Sequence, residues 1–325
     1  MNQMYLLLIG VLGIAAVGSL LSGGDDDEEF DQGTPVPDLP FINGTDDPEE
    51  IEGTDNAEVI RGLGENDTID GRAGDDWIYA GNGEDVVIAD EGDDRVFLGA
   101  GDDIYGGQPG DAANDGNDTI EGGSGDDTIH AGAGDDLILP GDEDDGDDVL
   151  NGGAGSDTID GGDGDDIIGA DDQADDAPDT MLGGDGNDTI TLGAGDFADG
   201  GDGRDDYLLN VAYPGSTIAY SSEDRIVIHY QGPADAPPQV ELEQDGDNTL
   251  VRVDGNLLTT LQATRADNVN IAVNAIPDSP SGSGPVVPVT DVVPVVVSVV
   301  TGAVADAVAG GGGVLPGAVT GPLAR

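Results

Sequence analysis

Cysteine and lysine are both missing from this 325-residue chain, and histidine occurs only twice. Without cysteine there is no disulfide, no thiolate metal site and no acylated N-terminal cysteine. His130 and His229 stand far apart and form no H-E-x-x-H, and no serine lies in G-x-S-x-G, so the common hydrolase signatures are missing. The residues offer no catalytic or organic-cofactor constellation, and the chain reads as a non-enzyme. Positive charge is also scarce. Eight arginines face 70 acidic residues, a formal net charge of -62. Such a chain repels phosphate backbones, which excludes nucleic acid as a partner. Aromatic residues make up 4 % and glycine numbers 56. That composition ordinarily describes a disordered polyanion, because self-repulsion opposes collapse. A fold therefore requires a counter-ion.

The chain divides into an apolar N-terminal segment (1–24), an acidic linker (25–40), a periodic region (41–207), a β-patterned region without the period (208–276), and a tail rich in Pro, Val, Gly and Ala (277–325). Residues 5–21 would span roughly 25 Å as a helix at about 1.5 Å per residue, just short of a bilayer core. No Lys or Arg precedes them and no A-x-A site follows. We read them as an export signal or membrane anchor, against the alternative of a merely apolar start.

The periodic region carries the argument. Acidic residues recur at nine-residue steps: Glu49, Glu58, Asp67, Asp76, Asp85, Asp94, Asp103. Two residues after each comes Ile51, Ile60, Ile69, Ile78, Val87, Val96 and Tyr105. Composition bias supplies aspartates, but not this joint register of acid and apolar partner. The register breaks and resumes as Asp118, Asp127, Asp136, then Asp148, Asp157, Asp166, then Asp179 and Asp188. The steps across the breaks are about six, three and four residues too long, which predicts outward loops in turn-like stretches. Glycine permits the tight turn, aspartate supplies a hard anionic oxygen suited to Ca²⁺, and the last three residues form a short strand with its aliphatic inward.

The best units, GGSGDDTIH from Gly122, GGAGSDTID from Gly152, GGDGDDIIG from Gly161 and GGDGNDTIT from Gly183, resemble the RTX, or hemolysin-type, calcium-binding nonapeptide. The resemblance covers about half the chain. It implies an all-β fold: a right-handed parallel β-roll with two nonapeptides per coil, Ca²⁺ between successive turns as the cofactor, and folding on Ca²⁺ binding. Asp67, Asp85 and Asp103 would then line one edge, with Asp76 and Asp94 on the other. The implied side-chain ligands are Asp67, Asp76, Asp85, Asp94, Asp103, Asp118, Asp127, Asp136, Asp148, Asp157, Asp166, Asp179, Asp188 and Asp205. Turn backbone around Gly74, Gly83, Gly92, Gly101, Gly116, Gly125, Gly134, Gly146, Gly155, Gly164 and Gly186 would assist them. The pattern has departures. Glu49 and Glu58 replace Asp, Leu63, Arg72 and Asp90 occupy glycine slots, and Glu65 and Ala177 replace the third glycine. In LGAGDFADG the acid slot falls on Phe197, and the roll is expected to end at Tyr207.

Past that point we expect an antiparallel β cap, with strands at 217–220, 225–231, 239–243, 249–253, 257–261 and 269–273 and a hairpin turn at Asp254–Gly255. Asn43, Asn66, Asn117 and Asn187 open N-x-T triplets, which we read as by-products of the repeat. DEDDGDDVLNGG lacks the terminal Glu of an EF-hand loop. The family resemblance implies a type I exporter as partner, with the tail as a candidate signal, and an extracellular location or tethering to the outer cell surface through 5–21. Catalytic relatives carry an enzyme domain ahead of the roll, for which about 40 residues leave no room. A structural or adhesive calcium-binding protein is therefore preferred. The alternatives are the export module of a hydrolase and a disordered ion-buffering polymer, and the apolar register weighs against the polymer.

Overall fold

The computed structural model describes residues 39–106, 115–141, 146–169, 177–231, 237–276 and 297–300. The segment 5–21, most of the tail and the centres of the three insertions lie outside them. Among the described residues, regular structure is confined to strands and one 3-10 turn at Ala266–Asn268. No helix among them is long and apolar enough to cross a membrane.

Successive strands alternate between two sheets, one of fourteen strands and one of eleven. The first four, Phe41–Asn43, Glu50–Glu52, Val59–Gly64 and Thr68–Asp70, set the pattern. The first and third pair in one sheet, the second and fourth in the other, always in parallel. Each coil therefore consumes two nonapeptides, and the architecture is the anticipated right-handed parallel β-roll. The register follows the apolar slots. Ile60 pairs with Ile78 and Ile78 with Val96 in one sheet; Ile51 pairs with Ile69 and Ile69 with Val87 in the other. Alternation within each short strand sends these residues into the narrow interior, where Ile60, Ile69, Ile78 and Ile129 are wholly buried, and leaves their neighbours partly exposed.

The insertions do not disturb the stack. Partners separated by 18 residues before Asp94 are separated by 24, 21 and 22 across the three breaks, so the ladder resumes in register after each insertion. The glycine at the fourth position is sterically required in the well-formed units. At Gly155 (φ +136°) an added Cβ would lie 1.7 Å from the carbonyl oxygen of Gly134 on the preceding coil. Leu63 (φ 87°), Arg72 (φ 75°) and Asp90 (φ 70°) hold the left-handed backbone without glycine, at about 1–2 kcal/mol each.

Two expectations need correction. The roll does not stop at Tyr207. Ser216–Ala219, Arg225–Gln231, Asn256–Gln262 and Ile271–Ile276 all continue the parallel ladders. Their inward residues Ile218, Ile226, Leu261 and Val273 extend the same core. Parallel stacking needs only a strand in register with an apolar interior, so it outlasts the glycine-rich turns that advertised it. The antiparallel cap is limited to Val240–Asp245, Asn248–Val253 and Asn256–Gln262. Its turn at Asp254 (φ 51°) and Gly255 (φ 81°) is the left-handed pair anticipated for a tight hairpin. The second correction concerns LGAGDFADG, where Asp196 and not Phe197 enters the acid slot. The separations shrink to 17 residues, as Asp179 to Asp196 and Asp188 to Asp205, because this coil is one residue short.

Candidate metal centre

All fourteen predicted aspartates are 0–3 % exposed. They stand in two files, one on each edge where the chain crosses between sheets. On one edge the backbone N–H of Asp67 donates to Asp85 Oδ1 at 2.7 Å and that of Asp85 to Asp103 Oδ1 at 2.7 Å. That file runs on through Asp127, Asp148, Asp166, Asp188 and Asp205. On the other edge Asp76 donates to Asp94 at 2.7 Å and the file continues through Asp118, Asp136, Asp157 and Asp179. Every link is the same: one oxygen of each carboxylate holds the amide of the equivalent residue one coil earlier. Sequence reasoning missed two members. Asp196 receives the Asp179 amide, and Asp224 receives that of Asp205 at 3.3 Å.

The other oxygen is less well served. Oδ2 of Asp67, Asp76, Asp85, Asp94, Asp103, Asp136, Asp166, Asp188 and Asp205 is buried without a hydrogen-bond partner. In Asp67, Asp76, Asp166, Asp188 and Asp205 it points toward the first residue of its own nonapeptide, where glycine leaves room. A Cβ at Gly161 would meet Asp166 Oδ2 at 2.4 Å, and one at Gly183 would meet Asp188 Oδ2 at 2.1 Å. A buried, unpaired anionic oxygen is costly, and the carboxyl groups respond by holding their protons. Burial pushes Asp94 and Asp136 up to about 8, Asp76, Asp103 and Asp188 to about 7, and Asp118, Asp166 and Asp205 to about 6. The hydrogen bond from the neighbouring amide opposes this, and in most of the eight an adjacent carboxylate adds to it.

The predicted turn glycines run beside the carboxylates. Gly74, Gly83, Gly92, Gly101, Gly116, Gly125, Gly134, Gly155, Gly164 and Gly186 have φ between +122° and +156°. Their close stacking leaves a Cβ at Gly116 only 1.6 Å from Gly92 O, and one at Gly146 2.0 Å from Gly125 O. Each edge thus presents a file of carboxylates next to a file of closely stacked glycine carbonyls.

A second file escaped sequence reasoning. The residue before most ladder acids also reaches across coils, in the opposite sense. The amide of Asn117 donates to Asp93 Oδ1 at 2.9 Å, that of Asp135 to Asn117 Oδ1 at 2.7 Å, and that of Asn187 to Asp165 Oδ1 at 2.7 Å. Neighbouring positions therefore clip each coil to both the next and the previous one. The signal was in the sequence, since this slot is acid or amide in most units. Asn66 behaves likewise, accepting from the amide of Glu84 at 3.1 Å, so three of the four N-x-T asparagines are parts of the repeat.

Variations in the turns are informative. Glu49 and Glu58 fold back on their own turns, accepting the amides of Thr45 at 2.8 Å and Thr54 at 2.9 Å. Tyr105, in an apolar slot, crosses the interior to donate its hydroxyl to Asp118 Oδ2 at 2.8 Å.

The donor set consists of oxygen alone: anionic, buried and backed by carbonyls. It fits a hard divalent cation and offers nothing to a soft one. Among the described residues no three His, Cys, Asp or Glu side chains converge. Carboxylates arrive one per coil on each edge, so backbone carbonyls and water would complete a shell of six to eight oxygens.

A family model for the RTX calcium-binding nonapeptide repeat matches in four copies, at residues 52–87, 79–111, 113–145 and 144–177. No curated protein matches the chain. Among solved structures the chain is similar to an extracellular lipase, LipA from Serratia marcescens, at 16 % identity. That likeness covers 71 % of this chain and 42 % of the lipase with a TM-score of 0.22, which is too low to bear on fold or activity.

Proposed function

Because residues 52–177 are RTX calcium-binding nonapeptide repeats, we propose that the roll is a calcium-dependent structural module of an exported protein, acting in adhesion or in a surface layer. The observation that carries this reading is the file of buried Oδ2 atoms without hydrogen-bond partners. The fourteen predicted aspartates, joined by Asp196 and Asp224, hold one coil to the next through Oδ1, and those whose Oδ2 is unserved, such as Asp94 and Asp136, offer that second oxygen to the cation. The turn glycines bring carbonyl oxygens beside them. Bound Ca²⁺ supplies the positive charge that lets stacked carboxylates, one strand spacing of about 5 Å apart, ionise together. The interior is a single row of aliphatics per sheet, too little to offset chain entropy while the stacked carboxylates are ionised and without a cation. Each site filled at about ten times its Kd adds roughly 1.4 kcal/mol, so ten sites contribute on the order of a domain's whole stability.

Extracellular Ca²⁺ modules bind at about 10⁻⁴ to 10⁻³ M, so the chain stays open at cytosolic calcium. An open chain suits passage through a type I exporter, and secretion is typical of proteins with these repeats. Location outside the cell, free or tethered through residues 5–21, belongs to this proposal. The test is circular dichroism of the full chain across a Ca²⁺ titration. The proposal requires a cooperative gain of β signal near millimolar Ca²⁺ that Mg²⁺ does not reproduce. An equal response to both ions, or none, overturns it in favour of an acidic ion-buffering polymer.

A further inference from the structure

In a chain with 70 acidic residues, four consecutive strands of the larger sheet contain none. They are Phe41–Asn43, Val59–Gly64, Trp77–Asn82 and Arg95–Ala100. Their register sets Trp77 beside Arg95, and Arg61 beside Tyr79 beside Phe97, all at positions alternating with the buried Ile60, Ile78 and Val96. The outward face of these coils thus gathers the chain's one tryptophan, two of its four phenylalanines and two of its eight arginines.

These groups are ordered against one another. The rings of Tyr79 and Phe97 stack at 4.7 Å with 5° between their planes. The Arg95 guanidinium lies 5.3 Å from the Trp77 ring centre and 5.5 Å from that of Phe97, and Arg61 lies 5.0 Å from the ring of Phe41. Phe41 is 50 % exposed and the others are half-buried. Among the described residues Arg95 forms no ion pair, whereas Arg72, Arg225 and Arg252 each hold a carboxylate. Its Nε is buried without a hydrogen-bond partner. A guanidinium clamped between two rings has lost little freedom left to lose and keeps N–H groups for a planar anion.

We propose that this face is a docking surface for an acidic polysaccharide, with Arg95 reading a sugar carboxylate and the aromatic groups packing against pyranose C–H surfaces. Charge complementarity selects an anion, because these four strands are an acid-free stretch of a strongly acidic roll, ending at Glu121 beside Phe97 on the next strand. The net charge of -62 repels polyanions at long range, so recognition rests on contacts inside the Debye length of about 8 Å. A carboxylated sugar suits such contacts, since one ring supplies both the anion for Arg95 and an apolar surface for Trp77 and Phe41. An anionic bilayer supplies charge over a wide area, most of which would face the acidic remainder of the roll.

The experiment uses the full chain in saturating Ca²⁺, with folding verified by circular dichroism, so failure of the calcium reading is seen separately. Binding to hyaluronate, a carboxylated polymer that calcium does not gel, and to neutral dextran is measured by isothermal titration at physiological ionic strength. Hyaluronate binds and dextran does not, and Arg95→Gln and Trp77→Ala each weaken binding about tenfold or more. Arg252→Gln, which removes an arginine already paired with Glu243, serves as control and leaves it unchanged. Equal affinity for both polymers, or indifference to Arg95→Gln in a folded roll, overturns the proposal. So does Arg95-dependent self-association in sedimentation without polymer binding, which would assign the face to a second copy of this chain.

Discussion

Protons and calcium compete for the same oxygens in the two carboxylate files, and this makes the pH dependence of the calcium-free protein unusual. Eight of the file aspartates are raised to between about 6 and 8 in the folded chain, against 3.8 for an ordinary aspartate. A folded value above the unfolded one means that the native state binds more protons. Stability from these groups is complete below about 3.8 and is lost as pH rises through 6 to 8, the reverse of a salt-bridged carboxylate. At pH 5 the folded chain holds nearly all eight protons and the unfolded chain very few, so folding takes up about seven. The perturbation is a pH series from 5 to 8.5 on resin-stripped protein without calcium. The assays are β signal by circular dichroism and the pH dependence of the urea midpoint, whose slope reports the proton count. We expect the calcium-free roll to form at pH 5 and open by pH 8.5, while calcium bound per chain at a fixed millimolar concentration falls toward pH 5. A stability that is flat or rising between pH 5 and 8, or calcium occupancy indifferent to pH, refutes the reasoning.

Three substitutions extend it. Asp94→Asn removes a buried charge with an unserved oxygen and raises the calcium midpoint, costing about 1.4 kcal/mol in calcium, whereas the exposed neighbour Asp93→Asn keeps its acceptor and leaves the midpoint unchanged by circular dichroism. Gly155→Ala drives a methyl onto the Gly134 carbonyl and costs about 3 kcal/mol or more by urea unfolding in saturating calcium, against about 1 kcal/mol for Gly246→Ala, where nothing lies within 4 Å. Tyr105→Phe withdraws the phenol from Asp118, so about one further calcium binds per chain in equilibrium dialysis, and the calcium-free protein at pH 5 loses about 1–3 kcal/mol. Unchanged stoichiometry in Tyr105→Phe would show that the hydroxyl does not stand in for an ion at that turn.

The fold was legible where chemistry repeats locally. Acid and aliphatic two residues apart, at steps of nine, predicted the strands and the inward slots, and the family resemblance implied the two-unit coil and with it the two files. The same reading failed at Asp196: the sequence shows that one residue is lost before Asp205, and the pairing of Ala198 with Met181 places the loss ahead of Asp196. It also passed over Asn117 and Asp165, whose slot was given no role although it carries acid or amide in most units.

By itself, then, the sequence determined the period, the burial of Ile60 and its equivalents and the seating of an aspartate in each turn, since these follow from which neighbours a short strand and a tight turn permit; the two-unit coil and the lining of each edge were implied by the family resemblance. Tertiary structure alone decided the direction in which 216–231 and 271–276 pair, the opposite senses of the two hydrogen-bond files, and the meeting of Arg95 with Trp77 and Phe97 on one face. A strand's own residues specify that it pairs and which side faces in. Its orientation, and what gathers across coils 18 residues apart, depend on the sheet edge that the preceding coil leaves open.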